Sequence, residues 1–281
     1  MPAQGQGPRR YPEESLMTRR QNRPASPRQD SKHRSADRKA PPNRLLRVVI
    51  TAGPTREFLD SVRFISNPSS GKMGYAIAEA AAVAGHRVTL VSGPADLAPP
   101  KGVKVVRVVT AAEMAAATKQ AFAAADAAIF AAAVCDYRPR RRADRKLPKK
   151  TAVHRIEFEP TEDIAAACGR VKGRRITICF ALEDHAARRH AERKLLRKNC
   201  DAIVLNSPDT VGSDRASVEF LIRGGRWQRW AGRSKKRLAA RLMACLEQLS
   251  TSRRPGLDSP TPGRGRSAGR RLSSTARRGA S

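Results

Sequence analysis

Two serines, a glycine and a lysine stand at the head of an alanine-rich helical pattern in "SNPSSGKMGYAIAEAAAVAG", residues 66–85. Ser69 and Ser70 can cap a helix and donate hydrogen bonds. Gly71 and Gly74 let a ligand or a strand approach the backbone, and Lys72 adds a full charge. Where a strand runs into a helix, the first N–H groups of the helix and its dipole favour an anion, so the set suits a phosphate. The stretch is neither GxGxxG nor a Walker A sequence, which sets an NAD-dependent dehydrogenase aside. A serine-capped helix whose small residues pack on a sheet is the competing reading.

Other polar groups fall at the ends of later strands. Asn67 and Asp136 lie at such ends or in the loops after them. "ERKLLRKN" places Lys194 and Lys198 four residues apart, on one helix face. Such a pair is ordinarily a solvated surface. If it shares the serine loop's cleft, two ammonium groups can bind a polyphosphate or neutralise a leaving group. Nucleophilic catalysis finds little support, because there is no G-x-S-x-G elbow and His86, His154, His185 and His190 lack triad or zinc spacing. Cys135, beside Asp136, reads as a packing residue.

The elements that must position these groups alternate. "LLRVVITAG" reads as a buried strand, followed by a polar loop and a helix from Ser70 to Ala84 that stops at Gly85. "HRVTLVSG" and "VKVVRVV" read as strands, "AAEMAAATKQAFAAA" as a helix and "DAAIFAAAV" as a strand. "RRITICFAL" and "CDAIVLN" read as strands around a charged helix over 183–198. "SVEFLIRGGRWQRW" reads as a hairpin, and "SKKRLAARLMACLEQL" as a closing helix. The expected fold is α/β, a Rossmann-like, mostly parallel sheet with helices on both faces, plus a small β-hairpin. Residues 137–150, "YRPRRRADRKLPKK", have no apolar period and read as a mobile flap.

One domain is expected over residues 46–250, between basic tails at 1–45 and 251–281. The net charge is +31, of which residues 1–46 and 251–281 carry +7 each and the middle keeps +17. The tails are rich in Arg, Ser, Pro and Gly and poor in periodic apolar residues, so they read as disordered. They bring a reading from another class, a basic protein binding nucleic acid through its tails. Aromatics make up only 4% of the chain and do not interleave with the arginines, which weakens a stacking role. No stretch is apolar enough to span a membrane or serve as a secretory signal. The five cysteines, an odd number without a CxxC pair, point to a reducing cytoplasm rather than to disulfides or zinc.

Taken in order, "ITAGPTREFLDSVRFISNPSSGKMG", "AAAVCDYR", "FALED" and "RKLLRKN" resemble the phosphopantothenoylcysteine synthetase family, the ligase domain of coenzyme A biosynthesis, over residues 46–250. The resemblance implies a two-step ligation. The carboxylate of 4'-phosphopantothenate attacks the α-phosphate of CTP, or of ATP, releasing pyrophosphate. The amine of cysteine then displaces the nucleoside monophosphate from the acyl-nucleotidylate. Magnesium accompanies the triphosphate, held largely by phosphate oxygens and water, with no protein ligand named.

It also implies roles. Gly53, Ser69, Gly71 and Gly74 match nucleotide-contacting positions, and Asn67 the asparagine that handles the acyl-nucleotidylate. Ala132, Ala133 and Asp136 match the pantothenate-contacting block. Phe180 and Asp184 fall where the nucleoside binds, with the peptides of Ile178, Cys179 and Phe180 suited to reading the base. Lys194 would contact the triphosphate, with Lys198 and Lys235 in support. Family members are dimers in which a flap from one subunit covers the other's site, which assigns Lys146 and Lys149 to substrate phosphate. A flavin-dependent decarboxylase often precedes this domain and would here be a separate partner. Departures from the family pattern are "TVGSD" for GFGSD at 210–214, "FALED" for FA-x-ET, Asn206-Ser207 for Asn-Asp, and Pro148 within the flap. An alternative consistent with them is a divergent nucleotide-binding protein without ligase activity.

Overall fold

The structure, a computed structural model, describes residues 45–149, 155–207, 213 and 215–252. His154, most of "TVGSD" and nearly all of both tails lie outside the described residues.

The first half of the chain contains β1 (Arg47–Ala52), β2 (Arg56–Phe58), β3 (Phe64–Ser66), α1 (Lys72–Val83), β4 (Arg87–Ser92), β5 (Lys104–Arg107), α2 (Ala111–Ala123), β6 (Ala127–Phe130) and β7 (Tyr137–Pro139). The second contains β8 (Phe158–Pro160), α3 (Ile164–Arg170), β9 (Ile176–Leu182), α4 (Ala187–Arg197), β10 (Ala202–Asn206), β11 (Arg215–Ile222), β12 (Gln228–Ser234) and α5 (Lys235–Ser252). Eight strands form one sheet in the order β12-β11-β10-β9-β6-β1-β4-β5. The pairs from β10 to β5 are parallel, and β11 and β12 add an antiparallel edge. The α/β class expected from the sequence is the class observed.

Helices cover both faces, which is why the central strands are continuous apolar runs. The strand period of two divides them: Val48, Ile50 and Ile178 face α1 and α5, whereas Val49, Phe130 and Cys179 face α2, α3 and α4. Helix α2 starts with a capping box. Thr110 Oγ1 accepts the Glu113 N–H at 3.2 Å, and Glu113 Oε2 accepts the Thr110 N–H at 3.3 Å.

Three features depart from the sequence reading. The polar loop after β1 contains the β2–β3 hairpin, braced by an edge-to-face contact of Phe58 and Phe64 at 5.7 Å. Helix α3, capped by Asp163 through the Ala166 N–H at 3.1 Å, was not anticipated, because seven residues are too few to display a helical period. The segment expected as a mobile flap is tied down as far as Leu147. It begins as β7, paired antiparallel with β8, and its Ala143 N–H reaches the Leu59 carbonyl at 3.0 Å.

Asp60 is the anchor of that segment. Its buried carboxylate accepts the N–H groups of Arg63, Val62 and Leu147 at 2.7, 2.8 and 3.1 Å, and the Arg63 guanidinium at 2.6 Å. The Arg63 backbone N–H, working against burial and helped by the other donors, holds this carboxyl far below the usual carboxylate range. Hydrophobic periodicity carries no trace of such a polar anchor.

Candidate functional site

The chain leaves β1 toward β4 and β5 on one side and later fills β6, β9 and β10 on the other. The strand order therefore reverses between β1 and β6, the place where open α/β sheets bind ligands. The two loops leaving this point are laced together. The Ala133 N–H donates to the Gly53 carbonyl at 2.9 Å and the Thr55 N–H to the Ala133 carbonyl at 3.3 Å. Thr51 Oγ1 accepts the Ala132 N–H at 3.2 Å, and Thr55 Oγ1 accepts the Cys135 N–H at 3.0 Å. Asn67 joins from the β3 side, its amide donating to the Val134 carbonyl at 2.9 Å and more weakly to Ala133. Gly53 makes the turn at φ +75, and an added Cβ would lie 3.0 Å from the Gly93 carbonyl oxygen.

Above this lacing is a cleft of about 180 Å³. Its walls are Ser69 and Gly71 from the loop into α1, Gly74 in the first turn of α1, Ala132 and Ala133 after β6, Phe180 of β9 and Lys235 at the head of α5. The α1 cap differs from expectation. Gly71, left-handed at φ 73, is the N-cap, and no side chain caps the helix. Ser69 Oγ instead accepts the Gly71 N–H at 3.4 Å, so the first N–H groups of α1 keep their anion-binding character. Gly74 serves packing: a Cβ there would run into Ala52, with the Thr51 carbonyl oxygen 3.1 Å away, so α1 lies directly on the end of β1.

The remaining candidates are spread more widely. Ile178 and Cys179 have fully buried side chains, and their register positions are paired with β6 on one side and β10 on the other. Pairing with β6 ends at Cys179, so only from Phe180 onward does the β9 backbone have an open edge toward the cleft. Lys194 and Lys198 turn to different acids. Lys194 Nζ lies 2.5 Å from Glu183 Oε1, and Lys198 Nζ lies 2.9 Å from Asp163 Oδ1. Neither lysine lines the serine-loop cleft. Burial would raise the Asp163 carboxyl, but the Lys198 hydrogen bond and charge outweigh it and hold it below its ordinary value. Asp184 is exposed beside His185, whose ring nitrogen at 2.5 Å lowers the carboxyl. Asp136, Lys146 and Lys149 are exposed.

A second cleft, of about 830 Å³, is bordered by Glu183, Asp184, Arg188 and Glu219 and meets the first at Asn206. In the sequence Asn206 stands out only as part of the Asn206-Ser207 departure from the family motif. Its buried Oδ1 has no hydrogen-bond partner among the described residues, which suits it to accept an N–H from a ligand. Thr51 and Thr55 were also missed, since hydroxyls at strand ends look like ordinary strand residues. Cys135 is buried, and burial pushes its thiol up, in keeping with a packing role. No cluster of His, Cys, Asp and Glu among the described residues could hold a metal ion, and no helix among them is long and apolar enough to cross a membrane.

Residues 44–249 match the family model of the DNA/pantothenate metabolism flavoprotein C-terminal domain. The coenzyme A biosynthesis bifunctional protein CoaBC of Bacillus subtilis (strain 168) is 44% identical over 167 residues, 59% of this chain and 41% of that protein. A cysteine/cysteine sulfinic acid decarboxylase from an unknown prokaryotic organism is 49% identical over 163 residues, 57% of this chain and 45% of that protein. The chain thus spans less than half the length of these two relatives. The crystal structure of the C-terminal domain of CoaBC superposes with a TM-score of 0.63 at 40% identity, covering 73% of this chain and 96% of that one. With a family model matched across most of its length and a solved relative covered almost end to end, the chain belongs to the DNA/pantothenate metabolism flavoprotein C-terminal domain family.

Proposed function

We propose that the chain is a phosphopantothenate–cysteine ligase that activates its acid substrate with a nucleoside triphosphate, CTP in the first instance and ATP as the alternative. The observation that carries this reading is the cleft at the β1/β6 reversal, where an uncapped helix N-terminus, Ser69 and Lys235 face the β6 loop and the open edge of Phe180. An anion-binding helix end beside two lysine side chains, Lys72 and Lys235, suits phosphates, and the buried Oδ1 of Asn206 suits the amino group carried by cytosine or adenine.

In the first step a carboxylate oxygen of 4'-phosphopantothenate attacks the α-phosphorus, forming the acyl–phosphate bond while pyrophosphate leaves. In the second the cysteine nitrogen attacks the acyl carbon, the nucleoside monophosphate leaves, and the amine loses a proton. The chain's part is placement and charge. The first turn of α1 and Lys235 bind phosphate oxygens. Lys194 exchanges Glu183 for the triphosphate, with Lys198 in support. Asn67, held by the Val134 carbonyl, keeps the acyl group in register with Ala132 and Ala133. Magnesium bound with the triphosphate would supply countercharge to the leaving pyrophosphate; no His, Cys, Asp and Glu cluster among the described residues would hold it by itself. Lys146 and Lys149 belong to the segment that would reach across to a second subunit's site in a homodimer. A separate flavin-dependent decarboxylase would act on the product.

The test is pyrophosphate release from purified protein supplied with 4'-phosphopantothenate and magnesium, with CTP or ATP, with and without cysteine. Cysteine-dependent product with one nucleotide is expected. Folded protein that releases no pyrophosphate with either nucleotide would favour a divergent binding protein.

A further inference from the structure

Glu183 sits between two basic side chains of α4. Its Oε1 lies 2.5 Å from Lys194 Nζ and its Oε2 lies 3.5 Å from His190 Nδ1, and the side chain is only 10% exposed. His190 and Lys194 are four residues apart and so share one face of the helix. Glu183 Oε1 is enclosed and meets no donor in good hydrogen-bond geometry, so the charge of Lys194 holds it rather than a well-formed hydrogen bond. The turn that carries Glu183 is fastened to the same face. Ala186 is left-handed at φ 43, the His190 N–H donates to its carbonyl at 3.1 Å, and the His185 ring meets the His190 ring edge-to-face at 4.9 Å. His185 is turned to Asp184. Among the described residues, the titratable groups facing His190 are therefore Glu183 and His185, with Lys194 on the far side of the shared carboxylate.

The arrangement matters once Lys194 leaves. Carrying the lysine over to a triphosphate removes the charge that lets Glu183 stay ionised where little water reaches it, and an uncompensated buried carboxylate is strongly disfavoured. His190 already stands alongside. Imidazole is the side chain whose ordinary titration falls between about pH 5 and 8, so it can supply the missing charge by taking a proton from solvent. Nδ1–H then donates to Glu183 Oε2 in a charge-assisted hydrogen bond. The proton returns to solvent when the nucleotide leaves and Lys194 comes back.

We infer that His190 is a positioning residue for Lys194: it takes over Glu183 when Lys194 turns to the triphosphate, so that nucleotide binding is coupled to the uptake of a proton. This inference rests on the nucleotide reading given above. Because the bound state holds more protons than the free state, nucleotide affinity falls as pH rises, with a slope equal to the number of protons taken up.

The full chain is titrated calorimetrically with CTP and with ATP, each with magnesium, at about pH 7.5 in two buffers of different ionisation heat. The difference between the buffers gives the protons taken up per nucleotide bound. The titrations are repeated on His190→Gln and on Lys194→Gln, and because all three proteins receive the same nucleotide, proton changes on the nucleotide itself cancel in the comparison. Wild type should take up about half a proton per nucleotide, and its Kd should accordingly rise about threefold between about pH 7 and 8. His190→Gln should take up about none and lose that pH dependence. Lys194→Gln, in which Glu183 depends on His190 before any nucleotide arrives, should bind more weakly and also take up about none. Nucleotide binding by wild type without proton uptake, or uptake that persists in either variant, overturns the inference and leaves the nucleotide reading standing. Failure of both nucleotides to bind folded wild type overturns the nucleotide reading, and the inference with it.

Discussion

Replacing Lys198 with methionine separates its structural work from its chemistry. Lys198 Nζ stands 2.9 Å from Asp163 Oδ1, with side chains 19% and 36% exposed, and Asp163 is the N-cap of α3. An exposed ion pair contributes about 0–1 kcal/mol, and breaking a buried one costs about 3–5 kcal/mol. This half-buried pair, with Arg197 still 3.7 Å from the other Asp163 oxygen, falls between, at about 1–2 kcal/mol. For a domain of this size the melting temperature should drop by roughly 2–8 °C. The pH dependence has a definite sign. Asp163 is held below its unfolded value, so its stabilisation is present above the ordinary carboxylate range and is lost as pH falls through the lower folded value. The gap between wild type and Lys198→Met should be full near neutrality and close in acid. Thermal melts of wild type, Lys198→Met, Asp163→Asn and the double variant, followed by circular dichroism, give a coupling energy of about 1–2 kcal/mol if the pair acts as described. Asparagine preserves the cap, so the cycle isolates the charge pairing. Equal melting of Lys198→Met and wild type at neutral pH, or a gap unchanged in acid, would refute this account.

Other substitutions test the site. Lys194→Gln should cut pyrophosphate formation about tenfold or more, while the loss of its half-buried pair with Glu183, 37% and 10% exposed, should lower the melting temperature by no more than roughly 2–8 °C; unchanged release removes its proposed role. Asn67→Asp sets a carboxylate against the Val134 carbonyl and should slow the cysteine-dependent step more than pyrophosphate release. Equal losses in both steps would mean that Asn67 only fastens the loop. Gly74→Ala gains about 1 kcal/mol of helix propensity but meets Ala52, and overpacking of about 1–3 kcal/mol should leave the protein less stable. A higher melting temperature would show that α1 can move off β1 at little cost.

Sequence by itself determined the layered α/β architecture, because apolar runs and helical periods are local signals that a parallel sheet covered on both faces must carry. It also located the phosphate-suited loop at Ser69–Gly74, and the family resemblance added Ala132, Ala133, Phe180 and Lys235, which the fold brings around one cleft with that loop. Tertiary structure decided the rest. That Lys194 and Lys198 serve Glu183 and Asp163, that Ile178 and Cys179 are enclosed in the sheet while Phe180 is open, and that Asp60 anchors the arginine-rich segment all depend on partners far along the chain. The buried Oδ1 of Asn206 at the meeting of two clefts depends on them as well. Hydrophobic patterns record which face a residue turns inward. The pairing of polar atoms is settled by geometry that exists only once distant strands lie side by side.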